Sequence, residues 1–79
     1  MKIEVLGGGC AKCRRLKENV KKALEELKIS AEVVEVKDIA KISEYGVMMT
    51  PALVVDGEVV SEGKVLDVES IKEMVLGKI

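Results

Sequence analysis

The spacing of apolar and polar residues changes along the chain, and each change marks a predicted element. The run from Lys2 to Leu6 is mostly apolar and ends in three glycines, which predicts a short strand followed by a turn. In the next stretch, apolar residues recur at helical spacing, at Leu16, Val20, Ala23, Leu24 and Leu27. This pattern is typical of a helix with one buried face. We expect the helix to begin in the segment that holds Cys10 and Cys13 and to end near Lys28.

Two further elements follow that helix. Segment 31–37, AEVVEVK, is rich in valine, which predicts a second strand. After it, Asp38 can act as the N-cap of a short helix that reaches Tyr45 and stops at Gly46.

The last third of the chain predicts a hairpin and a helix. In segment 51–63, PALVVDGEVVSEG, two β-rich runs flank Asp56-Gly57, a pair that is typical of a type I′ turn. Asp67 can cap the final helix. The residues of this helix that we expect to face inward are Val68, Ile71, Met74 and Val75.

The predicted order of elements, β-α-β-α-β-β-α, defines the fold class. The first strand, long helix and second strand form a βαβ unit, whose strands should be parallel. The hairpin adds two antiparallel strands. We therefore predict a single domain over residues 1–79, of the α/β class, with a four-stranded mixed sheet covered by helices on both faces.

Composition and charge exclude several kinds of catalytic site and binding partner. The chain is 48% hydrophobic and 34% charged, which suits a compact fold. It has no histidine, so the commonest general base and many zinc sites are excluded. A formal net charge of −1 gives no reason to expect a nucleic-acid or membrane partner. No signal peptide or membrane span is visible, so we expect a cytoplasmic protein.

Three kinds of chemistry suit the only two cysteines, in Cys10-Ala-Lys-Cys13. The pair could form a structural disulfide, bind a metal ion, or cycle between dithiol and disulfide. A disulfide that closes so small a loop constrains the unfolded chain little, which disfavours the structural role. The other two roles remain open on this evidence.

The predicted start of the helix gives the two cysteines different properties. Unpaired N–H groups and the positive end of the dipole stabilise a thiolate there, and Lys12 adds positive charge that should lower the pKa of the thiol. Cys10 is therefore the candidate nucleophile. Cys13, one turn further into the helix, is the candidate resolving thiol.

A second motif, MMTPALVV at 48–55, places Thr50-Pro51 directly before the third strand. A C-x-x-C after the first strand of a βαβ unit is typical of thioredoxin-like redox proteins. With both motifs, the Asp-Gly hairpin and the final helix, the whole chain resembles the thioredoxin fold. In particular, it resembles the small thioredoxin/glutaredoxin-like group called redox-active disulfide protein 2. The resemblance implies a thiol–disulfide oxidoreductase that reduces protein disulfides.

The resemblance also implies roles for three residues that bind substrate. In the thioredoxin fold, the proline before the third strand is cis and packs beside the disulfide. Pro51 would then be cis, and Thr50 would present its backbone to a bound substrate strand; a trans proline that starts an edge strand is the alternative. Gly63 resembles a glycine that lets partner chains approach, although an ordinary turn glycine fits the sequence equally well.

Glu4 is the candidate proton acceptor. Thioredoxins have a buried acid six residues before the first cysteine, and Glu4 stands at that distance from Cys10. The resemblance implies that it could accept the proton of Cys13 during exchange. The alternative is an ordinary strand residue that shares the wetter face with Lys2.

Metal binding is the competing function. Heavy-metal-associated domains also place C-x-x-C between a first strand and a first helix, where two thiolates bind Cu(I). Those domains end on a strand, and they favour a methionine two positions before the first cysteine, where this chain has Gly8. A zinc or iron–sulfur half-site shared between two chains is a further alternative.

We therefore predict a cytoplasmic oxidoreductase with no metal and no cofactor beyond its Cys10–Cys13 disulfide. Its expected partners are disulfide-containing protein substrates and an upstream disulfide reductase. We expect it to be a monomer.

Overall fold

Seven elements follow one another in the computed structural model, which describes residues 1–7 and 11–78. Their order is the predicted one, β-α-β-α-β-β-α. The elements are β1 (Lys2–Leu6), α1 (Ala11–Leu27), β2 (Glu32–Val36), α2 (Ile39–Glu44), β3 (Ala52–Val55), β4 (Glu58–Glu62) and α3 (Val68–Gly77).

The four strands form one mixed sheet in the order β2-β1-β3-β4. Strand β1 pairs in parallel with β2 and antiparallel with β3, and β3 pairs antiparallel with β4. Because β1 lies between β2 and β3, its backbone N–H and C=O groups form hydrogen bonds with a neighbouring strand on each side. Its C-terminal end, where the chain turns towards α1, is therefore held by strands on both sides.

Helices cover both faces of the sheet, as predicted. Strands β1 and β3, which lie in the middle of the sheet, send alternate side chains to opposite faces. On one face they pack with α1 and α3 into a core that includes Ile3, Val5, Leu16, Leu53 and Ile71. On the other face a smaller cluster joins Leu6, Ala52 and Val54 to Ile42 of α2.

The predicted N-cap of α2 and the predicted turn of the hairpin are both present in the structure. The Asp38 carboxylate accepts a hydrogen bond from Ala40 N–H at 2.9 Å. In Asp56-Gly57 both residues have positive φ, 47° and 84°, which is the requirement of a type I′ turn. No helix among the described residues is long and apolar enough to cross a membrane.

Candidate active site

Cys13 lies in the first turn of α1, and its side chain is completely buried. The burial follows from the helical period, because Cys13 is on the same side as Leu16 and Val20, which face the sheet. Cys10, the predicted nucleophile, lies outside the described residues. Its role and the closing of a Cys10–Cys13 disulfide therefore stay predictions.

Gly7 provides the space that Cys13 occupies. It follows β1, and its N–H donates to the carbonyl of Val36 at 2.9 Å. A Cβ placed on Gly7 would overlap the Sγ of Cys13, and it would lie 3.4 Å from the Cβ of Cys13 and 3.8 Å from the Cβ of Thr50. Gly7 therefore lies beside both the thiol of Cys13 and Thr50 of the predicted substrate-binding segment, where no side chain fits.

Of the three predicted substrate-binding residues, Thr50 lies beside this glycine, and Pro51 and Gly63 adjoin Thr50. The Thr50–Pro51 peptide bond is cis; Thr50 is exposed and Pro51 is buried. The N–H of Gly63 donates to the carbonyl of Pro51 at 2.9 Å. Gly63 has φ +72°, a backbone conformation that favours glycine, and a Cβ there would crowd the Cβ of Met49 at 3.1 Å.

Glu4 is 9% exposed and lies on the sheet face covered by α2. Glu4 shares this face with Lys2, two positions away on β1, as the alternative expected, but Lys2 is exposed whereas Glu4 is buried. The hydroxyl of Tyr45 lies 2.9 Å from both carboxylate oxygens of Glu4 and donates to them. This partner satisfies a carboxylate that would otherwise be costly to bury.

The contact with Glu4 also shifts the pKa of Tyr45. Its hydrogen bond to Glu4, followed by desolvation and by the negative charges of Glu4 and Glu44, raises the pKa of the Tyr45 hydroxyl above its ordinary value. The hydroxyl therefore stays protonated, as a donor to Glu4 must. Cys13, in contrast, belongs to α1 on the opposite side of the sheet. The structure thus places Glu4 with Tyr45, and proton transfer from Cys13 to Glu4 stays a prediction.

Lys12 precedes Cys13 on α1 and is exposed. It belongs to a basic helix segment, residues 12–22, that carries six Lys and Arg residues against one Glu. The predicted effect of Lys12 on the cysteine thiol stays a prediction.

The sequence did not single out two residues of this region. Gly7 is one of three consecutive glycines that predict a turn, and only the packing of α1 on β1 shows that Gly7 accommodates Cys13. Tyr45 is the only aromatic residue of the chain, and this was the one feature of the sequence that could have drawn attention to it. Among residues 1–7 and 11–78, no group of three or more His, Cys, Asp or Glu side chains could hold a metal ion.

Comparison with known proteins identifies the family. A family model described as thioredoxin domain matches residues 1–76. A relative named thioredoxin from Methanocaldococcus jannaschii is 51% identical over 71 residues, which cover 90% of this chain and 81% of the relative. Another protein named thioredoxin, from Methanothermobacter thermautotrophicus, is 42% identical over 74 residues, which cover 94% of this chain and 96% of the relative.

These matches agree with the fold, a four-stranded mixed sheet between helices. They confirm the predicted family and activity, and they do not favour the Cu(I)-binding alternative. The chain belongs to the thioredoxin family and is a thiol–disulfide oxidoreductase.

Proposed function

We propose that the chain reduces protein disulfides by cycling Cys10 and Cys13 between dithiol and disulfide. The observation that supports this most is the position of Cys13, which is buried in the first turn of α1 beside Gly7 and close to Thr50. A buried thiol is poorly placed to meet a protein substrate first. It is well suited to a second, intramolecular attack.

The reaction then proceeds in two exchanges. The Cys10 thiolate attacks one sulfur of the substrate disulfide, so that a mixed disulfide forms and one substrate thiolate leaves. The Cys13 thiolate then attacks the Cys10 sulfur, which closes the Cys10–Cys13 disulfide and releases the second substrate thiolate. The substrate gains two electrons and the protein loses two.

Thr50, Pro51 and Gly63 form the proposed substrate-binding edge. Thr50 is exposed, and it lies with the Cys13 thiol beside Gly7. The hydrogen bond between Gly63 and Pro51 keeps the end of β4 next to Thr50. An extended substrate segment could pair with the backbone at Thr50. We propose that a disulfide reductase restores the dithiol, that the protein acts in the cytoplasm as a monomer, and that no further cofactor takes part.

Single-cysteine variants test the two roles. Cys10→Ser should abolish attack on a disulfide-bonded protein. Cys13→Ser should still attack but should stall as a mixed disulfide, since no second thiol is present to release the partner. Non-reducing gels and mass spectrometry would detect the covalent complex and locate it at Cys10. If alkylation near neutral pH labels Cys13 first and only Cys10→Ser traps partners, the roles are reversed.

A redox titration with thiol trapping, run beside a Cu(I) competition assay, tests the activity itself. A reversible two-electron couple with weak copper binding is the expected result. Tight stoichiometric copper binding without disulfide exchange would contradict the proposal.

A further inference from the structure

The segment between α2 and β3 carries the substrate-binding residue Thr50, and it has no helix or strand of its own. Its two methionines, Met48 and Met49, are 93% and 63% exposed. Their side chains therefore contribute little burial that could hold the segment in place. Another interaction has to fix its backbone.

That interaction comes from the carboxylate of Glu62, the last residue of β4. Its Oε2 accepts hydrogen bonds from the N–H groups of Met48, at 2.5 Å, and Met49, at 3.2 Å. Hydrogen bonds from backbone N–H groups to an ionised carboxylate are stronger than those between neutral groups. One side chain thus binds the two backbone positions that immediately precede Thr50.

The pairing register of β4 with β3 determines that Glu62 lies beside Met48 and Met49. Strand β4 pairs regularly as far as Val54 with Val59, and the register then shifts by one residue, so that Ala52 pairs with Glu62. Without the shift Ser61 would lie opposite Ala52. The next residue, Gly63, donates to the carbonyl of Pro51. The end of β4 therefore holds the chain on both sides of Thr50.

We propose that Glu62 is a positioning residue for the reaction: it fixes the backbone at Met48 and Met49, so that Thr50 is preorganised to bind the substrate main chain. The proposal rests on the substrate-binding edge described under Proposed function. It assigns Glu62 no part in thiol chemistry, because its contacts are with the backbone of the binding segment.

The test compares Glu62→Ala with Glu58→Ala. Glu58 is exposed on the same strand, but its carboxylate contacts Lys78 at the other end of β4, so it is a matched control for the loss of a charge. With a disulfide-bonded peptide as substrate, Glu62→Ala should raise KM about three- to ten-fold, because losing these solvent-exposed hydrogen bonds removes part of the preorganisation of Thr50. Its kcat should stay near that of the unmodified protein, and Glu58→Ala should change neither constant.

Two further measurements separate positioning from general destabilisation. The rate at which iodoacetamide alkylates the reduced protein should be unchanged in Glu62→Ala, because this small probe does not need the binding segment. Amide hydrogen exchange at Met48 and Met49 should become about ten-fold faster or more. Glu62→Gln, which keeps one acceptor oxygen, should give a KM between those of the unmodified protein and Glu62→Ala.

The inference is overturned if KM is unchanged in Glu62→Ala, if Glu58→Ala raises it equally, or if the alkylation rate falls with it. Failure of the unmodified protein to reduce the peptide would instead contradict the proposed function. The two failures are therefore distinguishable.

Discussion

Replacing Gly7 with alanine should destabilise the protein through a single overlap with Cys13. The φ of Gly7 is not positive, unlike those of Gly46, Gly57 and Gly63, so the backbone itself accepts alanine. The obstacle is the Sγ of Cys13, which a Cβ at Gly7 would overlap. Because Cys13 is completely buried, its side chain cannot move into solvent to make room.

The magnitude follows from two opposing effects. Forcing an extra carbon into a well-packed site costs about 1–3 kcal/mol. Alanine restricts the unfolded chain more than glycine does, which returns about 0.4–1 kcal/mol. The net loss should be roughly 1–2 kcal/mol, within the total of about 4–12 kcal/mol expected for a chain of 79 residues. The variant should fold, with Tm lower by about 4–8 °C per kcal/mol.

The assay is urea unfolding of the reduced proteins, arranged as a double-mutant cycle with Cys13→Ala. Removing Sγ leaves the Cβ of Cys13 as the nearest of its atoms, at 3.4 Å from the added carbon, which is ordinary van der Waals contact. Gly7→Ala should therefore stabilise the protein by about 0.4–1 kcal/mol in the Cys13→Ala background, because only its effect on the unfolded chain remains. The coupling free energy between the two sites should be about 1–3 kcal/mol, the cost of the overlap alone, because the effect on the unfolded chain is the same in both backgrounds.

Gly77→Ala is the control for the glycine-to-alanine change itself. Gly77 ends α3, and no atom of the described residues lies within 4 Å of a Cβ placed there, so this substitution should be neutral or stabilising by up to about 1 kcal/mol. An equal cost of Gly7→Ala in the two cysteine backgrounds would refute the reasoning, because the overlap with Sγ could not then be its cause.

Two other predictions concern charge. Since the chain has one tyrosine and no tryptophan, ultraviolet absorbance reports the ionisation of Tyr45 alone; its midpoint should lie above about 10, and Glu4→Gln should lower it. The folded protein holds the protonated hydroxyl, so this contribution to stability is fully present below about pH 10 and is lost as pH rises through the raised pKa of Tyr45; an unchanged midpoint in Glu4→Gln would contradict the assigned cause. Changing Lys17, Lys21 and Lys22 to Glu should slow the reduction of an acidic protein substrate at low salt and have little effect at high salt, because long-range attraction is screened. Equal rates at low salt would show that these lysines are ordinary surface charges.

The sequence by itself determined the features that depend on near neighbours. The spacing of apolar residues predicted all seven elements in order, because a helix or strand with one buried face has apolar residues at regular intervals along the sequence. Asp38 and Asp67 were recognisable as N-caps since their carboxylates reach N–H groups two or three residues away. Asp56-Gly57 was recognisable because few residue pairs accept two positive φ angles. The C-x-x-C and Thr-Pro motifs, through the family they resemble, predicted the end of the two inner strands where Cys13, Thr50 and Pro51 lie.

Only the tertiary structure decided which other residues complete the site. Tyr45 binds Glu4 across 41 positions of sequence, and Glu62 binds Met48 across 14. Such contacts depend on strand register and on which helix covers which face, and a shift of one residue in β4 changes the residue opposite Ala52. The role of Gly7 also depends on tertiary structure: it is the first of three consecutive glycines, and only the packing of α1 against the end of β1 requires the absence of a side chain there.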